Sequence, residues 1–371
     1  LRGRPVLVGD PGARGVVSTA SYEARPYGVG SAMPMAQARK RCPDAVIVRP
    51  RFDAYMEASR LIREVFDRFS PLVEPLSIDE AFLDMSGTAS LLGPPEQIGR
   101  DLKEQVRAAT QLCVSVGMAP CKYVAKVASD LCKPDGLLVV RPEEVRGFLA
   151  PLPVSRLWGV GPKTQPRLTR IGLETLGDVA SADPRFLEAE LGSLGPHIHR
   201  LALGDDPRPV IAEHEAKSIG WERTLEQDVR GEEAILPHLR RAADEVARRL
   251  RAEGLEARGL RIKLKTRDFV LHTRQCRLPQ TTDSAPYLYE AAGRLLGEAM
   301  PALPVRLIGM AAFDLDDGSA PRQQSLFTDE KRGRRSRLDQ ALDAIDERFG
   351  RGAVQRASEL GDRTDEDEGS E

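Results

Sequence analysis

The sequence predicts an α+β protein of several domains. Three observations carry this expectation. Residues 72–140 alternate short apolar runs with helical patterns, and residues 151–206 turn to short helices broken by glycine. From 217 to 315 strands return, interleaved with two longer helices. At 371 residues the chain is long enough for two or three domains, each with its own core.

Taken in order, the first segment opens on the strand-like Pro5-Val6-Leu7-Val8 and turns at Gly12-Ala13-Arg14-Gly15. Val16-Val17 follow, then a helix-like passage from Ser21 and a second helix around Pro34 to Arg41. Residues 52–70 place Tyr55, Leu61, Ile62, Val65, Phe66 and Phe69 at the spacing of an amphipathic helix. Next come a strand over 76–83, helix 95–110, strand 112–118, helix 121–131 and strand 137–140. That order suits one α+β sheet with helices on one side. Pro207-Arg208-Pro209 reads as a linker and is followed by a polar stretch to Ala216. Helices are expected over 231–253 and 284–300, and a charged helix over 336–349 follows a Pro/Gly/Gln-rich connection at 318–325. No internal repeat is present.

Composition narrows the class further. With 41% hydrophobic and 30% charged residues the chain suits a soluble globular protein. No apolar run approaches a bilayer span, and no signal-peptide pattern is present, so no membrane association is expected. The five cysteines (Cys42, Cys113, Cys121, Cys132, Cys276) lack any C-x-x-C spacing, which argues for reduced thiols and a cytoplasmic location. His197 and His199 lack partners in zinc spacing and read as ordinary helix residues. The net charge of −2 hides an asymmetry: Asp362 to Glu371 hold six acids and one arginine, while Arg258 to Arg277 carry seven Lys/Arg against one Asp. The acidic end reads as solvated and disordered.

The stretch Pro75-Leu76-Ser77-Ile78-Asp79-Glu80-Ala81-Phe82-Leu83-Asp84 sets two adjacent carboxylates in an apolar run. On a regular strand they would point to opposite faces, and buried unpaired they would be costly. At a tight turn between two strands they can converge on one divalent cation. Alone, the pair is weak evidence and reads sooner as a partly exposed turn.

Two further stretches supply context. Thr19, Tyr22 and Arg25, in Val17-Ser18-Thr19-Ala20-Ser21-Tyr22-Glu23-Ala24-Arg25, fall at i, i+3 and i+6 near one face of a helix or its entry. Such a face suits a triphosphate, with Arg25 giving forked hydrogen bonds; a solvated helix face with Arg25 paired to Glu23 or Asp44 is the alternative. In Lys122-Tyr123-Val124-Ala125-Lys126-Val127-Ala128-Ser129-Asp130-Leu131-Cys132-Lys133-Pro134-Asp135-Gly136, Pro134 and Gly136 stop the helix at Lys133. The lysines answer the helix dipole, or they serve a polyphosphate or a DNA strand beside a metal site.

These three stretches, in this order and spacing, resemble the Y-family translesion DNA polymerases, the bacterial members above all, over residues 1 to about 360. The resemblance implies a multidomain right-hand polymerase. Its parts are fingers over 1–51, palm over 52–140, a helix-hairpin-helix thumb over 141–207, a linker over 208–216, and a little finger over 217–317. A tail over 318–371 carries a clamp-binding peptide and the acidic end. It implies that Asp79 and Glu80 are catalytic metal carboxylates holding two Mg2+ ions per active site. Thr19, Tyr22, Arg25 and Lys133 would contact the incoming deoxynucleoside triphosphate. The family places a third carboxylate and the aromatic gate against ribonucleotides on a leading strand and helix before the fingers. Asp10 ends a strand, but its position does not match that ligand. An N-terminally truncated chain with an incomplete metal site and little primer extension is therefore expected.

Further stretches bear on DNA. Leu157-Trp158-Gly159-Val160-Gly161-Pro162-Lys163-Thr164, followed by a helix and Ile171-Gly172-Leu173, resembles a helix-hairpin-helix. Its Gly159, Gly161 and Lys163 would approach the backbone of primer-template DNA without reading sequence; a purely structural glycine turn is the alternative. The P-loop pattern is not met. Gly259 to Arg267 alternates apolar and basic residues, so a strand would bury Leu260, Ile262 and Leu264 and present Arg261, Lys263, Lys265 and Arg267 together. Gln323-Gln324-Ser325-Leu326-Phe327 resembles the pentapeptide by which bacterial polymerases dock on the sliding clamp, with Gln323, Leu326 and Phe327 as anchors. The expected protein is an error-prone polymerase acting as a monomer. Its rivals are a catalytically silent DNA- and clamp-binding accessory protein and a helix-hairpin-helix repair nuclease.

Overall fold

The structure is a computed structural model. It describes residues 1–213 and 215–318, and within the C-terminal stretch residues 338, 339, 341–345, 348–350, 353 and 354. Gln323, Leu326 and Phe327 lie outside the described residues. The chain forms two compact units, one from Leu1–Pro50 with Glu215–Glu371, the other from Arg51–His214.

In the first unit, β1 (Val6–Gly9) pairs antiparallel with β2 (Val17–Ala20) and parallel with β3 (Val46–Val48), and α1 (Met35–Arg41) covers the sheet. Leu7, Val17, Met35 and Ala38 form the core beneath it. The helix expected from Ser21 is absent. Instead a turn closes, with Ala24 and Arg25 N–H donating to the Ser21 carbonyl, and a three-residue 3-10 helix spans Arg25–Tyr27. Two features stop an α-helix there: Pro26 has no N–H to give, and Gly28 takes the left-handed conformation at φ 70°.

The second unit begins with α2 (Phe52–Phe66). A hairpin of β4 (Val73–Pro75) and β5 (Ala81–Leu83) follows, then the short α3 (Ala89–Leu92) and α4 (Pro95–Thr110). Pro95 and Glu96 at its start suit α4, since proline costs nothing in the first turn and the acid meets the positive end of the dipole. β6 (Val116–Met118), α5 (Lys122–Leu131) and β7 (Leu137–Val139) form a parallel crossover unit. Gly117 allows α5 to lie close, because a Cβ there would sit 2.1 Å from the Ala125 carbonyl oxygen.

One expectation is corrected here. Among the described residues the strands of 72–140 make two separate two-stranded sheets, β4-β5 and β6-β7, instead of one. Apolar runs locate strands without saying which edges pair. The hairpin closes on itself, and the crossover helix pairs β6 with β7.

Five short helices complete this unit: α6 (Val145–Leu149), α7 (Gln165–Arg170), α8 (Leu176–Ser181), α9 (Pro184–Leu191) and α10 (Leu194–Ala202). Thr175 caps α8, accepting from Asp178 N–H at 3.1 Å while Asp178 accepts from Thr175 N–H at 2.8 Å. Their core is continuous with α5: Tyr123, Val124 and Val127 pack with Leu149, Leu157, Leu168, Leu176, Leu187 and Ile198. The stretch expected as a linker is anchored at its start. Pro209 accepts from Lys122 Nζ at 3.0 Å, and Ile211 N–H donates to Glu74 at 2.8 Å.

The first unit then resumes. β8 (Ser218–Val229), α11 (Glu232–Ala252), β9 (Glu256–Thr266), β10 (Leu271–Thr282), α12 (Ala285–Ala299) and β11 (Val305–Asp316) build a four-stranded sheet of order β10-β9-β11-β8. Leu260, Ile262 and Leu264 of β9 are fully buried against both helices, each contributing about 1.5–3 kcal/mol of burial. Arg14, in the turn before β2, donates to the Leu225 carbonyl and to Asp228, both at 2.7 Å, tying the small sheet to the large one within this unit. The described residues between 338 and 345 are helical, and Asp343 accepts from Arg251 of α11 at 2.5 Å. No helix among the described residues is long and apolar enough to cross a membrane.

Candidate active site and nucleic-acid interface

The carboxylates Asp79 and Glu80 sit at the tip of the β4-β5 hairpin. The loop is closed by Leu76 and Ser77 N–H groups donating to the Glu80 carbonyl, at 2.8 and 3.3 Å. Ser77 Oγ donates to Asp79 Oδ1 at 2.5 Å. Asp79 is exposed and Glu80 half-buried, so the desolvation cost that a strand interior would impose does not arise. A turn there also lets neighbouring side chains project to one side, which a strand forbids.

Beside the tip lies α5. Lys126 Nζ donates to Glu80 Oε1 at 2.8 Å and to Asp130 at 3.1 Å. Lys133, just past the helix end, donates to Asp130 at 2.7 Å and stands 3.8 Å from Glu80. Burial works to lower the Lys126 pKa, but hydrogen bonds to Glu80 and Asp130 outweigh it and hold the ammonium above its ordinary value. At Asp130 burial works upward, and the two lysines outweigh it and hold the carboxyl below the usual aspartate range. The structure thus brings Glu80, Lys126, Asp130 and Lys133 into one alternating cluster.

A depressed carboxylate pKa stabilises the fold above the unfolded value and loses that contribution as pH falls through the folded one. Asp130→Asn is therefore expected to lower stability by a constant amount above about pH 4 and by progressively less below it. Urea midpoints of both proteins between pH 7 and pH 3 check this; a gap that widens on acidification is the contrary result.

Asp130 was not singled out from the sequence, although its i, i+4 spacing from Lys126 is the signal that could have found it. Lys122, one turn earlier, leaves the cationic set. It is buried and donates to Glu74 at 2.5 Å.

Thr19, Tyr22 and Arg25 belong to the other unit. Thr19 is on β2, not on a helix, because the β-branched Val16-Val17 run continues as strand to Ala20. Arg25 Nε donates to the Ala20 carbonyl at 3.2 Å, and its guanidinium lies over the Tyr22 ring, 4.1 Å from the centroid. All three side chains are exposed.

The glycine turn of 157–164 precedes α7. Gly159 takes φ 90°, a conformation costly for other residues, while Gly161 has open space where a Cβ would stand. Gly159, Gly161 and Lys163 are all exposed. On β9, Arg261, Lys263 and Lys265 share the face opposite the core. Arg267 lies past the strand end, in the turn where Thr266 N–H donates to Val270. The row also has an acid beside it. Lys263 pairs with Glu222 of β8 at 3.2 Å across Gly309, the residue of β11 that registers with both. Sequence could not show this, since the partner is two strands away. Arg261 donates to Gln275 at 2.7 Å and lies over Phe313, while Lys265 and Arg267 hold no ion pair among the described residues. Nor, among those residues, do three or more His, Cys, Asp or Glu side chains gather to hold a metal ion.

Comparison with known proteins adds an independent line. Residues 1–130 match the impB/mucB/samB family, residues 142–173 match the helix-hairpin-helix motif of that family, and residues 216–326 match its C-terminal domain. The chain is 42% identical over 360 residues to DNA polymerase IV of Desulfatibacillum aliphaticivorans, covering 96% of this chain and 91% of that one. It is 42% identical over 355 residues to DNA polymerase IV of Caulobacter vibrioides, covering 95% and 87%. Among solved structures it is similar to a Y-family DNA polymerase chimera of Dbh and Dpo4, with TM-score 0.76 and 29% identity over 84% of this chain and 92% of that one. An insertion ternary complex of Dbh DNA polymerase matches with TM-score 0.60 and 30% identity over the same shares. With both the sheet-and-helix order and these matches in hand, the chain belongs to the impB/mucB/samB family, the Y-family DNA polymerases.

Proposed function

We propose that this chain is an error-prone, template-directed DNA polymerase of translesion synthesis, adding deoxynucleotides to a primer 3′ end with two magnesium ions per site. The observation that carries the reading is the hairpin tip, where Asp79 and Glu80 stand beside Lys126 and Lys133, with Lys126 2.8 Å from Glu80. Two hard oxygen donors at an exposed tip fit a divalent cation that keeps waters and takes further oxygens from substrate phosphates. Such ions, when bound, neutralise charge at the attacking and leaving oxygens of an in-line displacement.

The residues of the chain do the positioning. Asp79 and Glu80 would hold the metal, and Lys126 keeps the Glu80 carboxylate aimed. Lys133 is 42% exposed and tied only to acids, so it can exchange Asp130 for a triphosphate oxygen. In the other unit, Arg25, whose guanidinium lies over the Tyr22 ring, would give forked hydrogen bonds to a triphosphate, which Thr19 and Tyr22 would also contact. The Gly159, Gly161 and Lys163 turn would hold primer-template backbone, and Arg261, Lys263, Lys265 and Arg267 would track it without base readout. The reading extends to a monomer in the cytoplasm that docks on the sliding clamp through Gln323, Leu326 and Phe327.

A binding measurement separates this function from its rivals. With template-primer and Mg2+ present, the complementary dNTP is expected to bind about tenfold or more tighter than the others. Equal binding of all four would favour a silent accessory protein. Strand cleavage without nucleotide selection would favour a nuclease.

The basic row makes its own forecast. Glu222→Gln frees Lys263, so DNA affinity should rise and the slope of log K against log salt should steepen by about 0.9. Replacing Lys265 and Arg267 together should flatten it by about twice that amount. Fluorescence anisotropy between 50 and 200 mM salt, roughly the range over which such slopes are read, tests both; an unchanged slope removes the row from the DNA interface.

A further inference from the structure

Trp158 sits immediately before the Gly159 turn, yet 36% of its surface is exposed, so it does not simply fill a core. The indole lies near Phe82 of β5, with ring centroids 6.1 Å apart and planes inclined at 45°. Arg208 covers it at 4.5 Å from the guanidinium carbon to the ring centroid. Each neighbour is fixed to an element of the carboxylate cluster. Phe82 is buried and lies two residues from Glu80 on the strand that leaves the tip. Arg208 is held by Asp206 at 2.6 and 2.8 Å, and Asp206 also accepts from Tyr123 N–H at 3.1 Å at the start of α5, the helix of Lys126.

Glu80 and Lys126 are thus paired to each other at the tip, and the elements that carry them each hold a neighbour of Trp158. We propose that Trp158 is a positioning residue, held by its contacts with Phe82 and Arg208, that couples backbone engagement at the Gly159 turn to the stiffness of the Asp79–Glu80 tip. The inference rests on the reading of that turn as a DNA-backbone contact. Aromatic and cation–π contacts of this kind are orientation-dependent, so a shift of the indole alters the packing on both neighbours at once. The pair that aims Glu80 then tightens or loosens with it.

Amide hydrogen exchange on the full chain, with and without saturating primer-template, tests this without requiring catalysis. DNA is expected to slow exchange at residues 76–83 about fivefold or more in the parent and in Trp158→Phe, which keeps an aromatic face. The slowing should vanish in Trp158→Ala and shrink in Arg208→Ala, with DNA affinity within about twofold of the parent. Because the chain has two tryptophans, Trp221→Phe leaves Trp158 as the sole tryptophan, and DNA should change its emission under tryptophan-selective excitation. Equal protection of 76–83 in Trp158→Ala and the parent overturns the inference. So does an emission indifferent to saturating DNA. If residues 159–164 themselves gain no protection on DNA binding, the reading of the turn fails first, which is a separate result. Should Trp158→Ala not fold, Arg208→Ala carries the test, and parental protection there overturns the inference equally.

Discussion

Asp79→Asn should lower whatever nucleotide addition the parent supports by about a thousandfold or more, a loss of about 4 kcal/mol of transition-state stabilisation. Template-primer binding should stay within about twofold. The side chain is exposed, and its polar contact is with Ser77, so an amide fits without disturbing the hairpin. What the amide lacks is the negative charge that a hard divalent cation requires. The corresponding Glu80→Gln variant should lose as much. It should also release Lys126, whose nearest carboxylate at 2.8 Å would then be neutral and whose remaining acid is Asp130. Single-turnover incorporation, with Mg2+-dependent dNTP binding as a second readout, checks both variants. Addition within tenfold of the parent in either one would remove that carboxylate from the metal site. A parallel loss of DNA binding would show instead that the hairpin had been damaged.

The hairpin shows how far residues alone carry the reading. An Asp-Glu pair flanked by Leu76 and Ile78 on one side and Phe82 and Leu83 on the other suggests a strand interrupted by a turn, and the β4-β5 pairing has that form. The apolar neighbours misled in one respect. Leu76 and Ile78 are themselves exposed at the tip, so the carboxylates are not surrounded by a buried run. Helices marked by strong stops were legible almost to the residue, as at Pro95–Thr110, where proline opens the helix and Gln111 closes it in the left-handed conformation. Passages with competing signals were not. After Ser21, Pro26 and Gly28 outweighed the helical spacing of Thr19, Tyr22 and Arg25.

Long-range partners were the other hidden part. Lys122 and Lys126 look alike in sequence, one turn apart on the same helix. Only the tertiary structure separates them, sending Lys122 inward to Glu74 and Lys126 outward to Glu80. The same holds for Lys263, whose acid neighbour is 41 residues away in sequence. Spacing within one element is local information, whereas pairing across a sheet is decided by register, which short apolar strands leave open.

The Lys122–Glu74 pair yields the second large effect. Its side chains are 10% and 7% exposed, and Glu74 also accepts from Ile211 N–H at 2.8 Å while Lys122 donates to the Pro209 carbonyl at 3.0 Å. Removing Lys122 takes from the buried Glu74 the ammonium it is paired with at 2.5 Å, and breaking a buried pair in this way costs about 3–5 kcal/mol. Lys122→Met should therefore lower the unfolding midpoint of the Arg51–His214 unit by roughly 10 °C, at about 2–4 °C per kcal/mol for a unit of this size. Glu74→Gln should cost less, because its amide oxygen can still accept from Ile211 N–H. In the double variant Lys122→Met with Glu74→Leu, both charges are gone and the loss should be below the sum of the losses in Lys122→Met and Glu74→Leu alone, by about 2 kcal/mol or more. Strict additivity would mean that the two side chains act independently. The consequence reaches the site because Glu74 pairs in register with Phe82 on the strand leaving the carboxylate tip, and Lys122 lies 5.2 Å over the Phe82 ring. An intact buried pair thus fixes the base of the hairpin whose tip bears Asp79 and Glu80. A double variant that regains stability yet shows weaker Mg2+-dependent dNTP binding would separate the two contributions, stability from the apolar replacement and alignment from the charges.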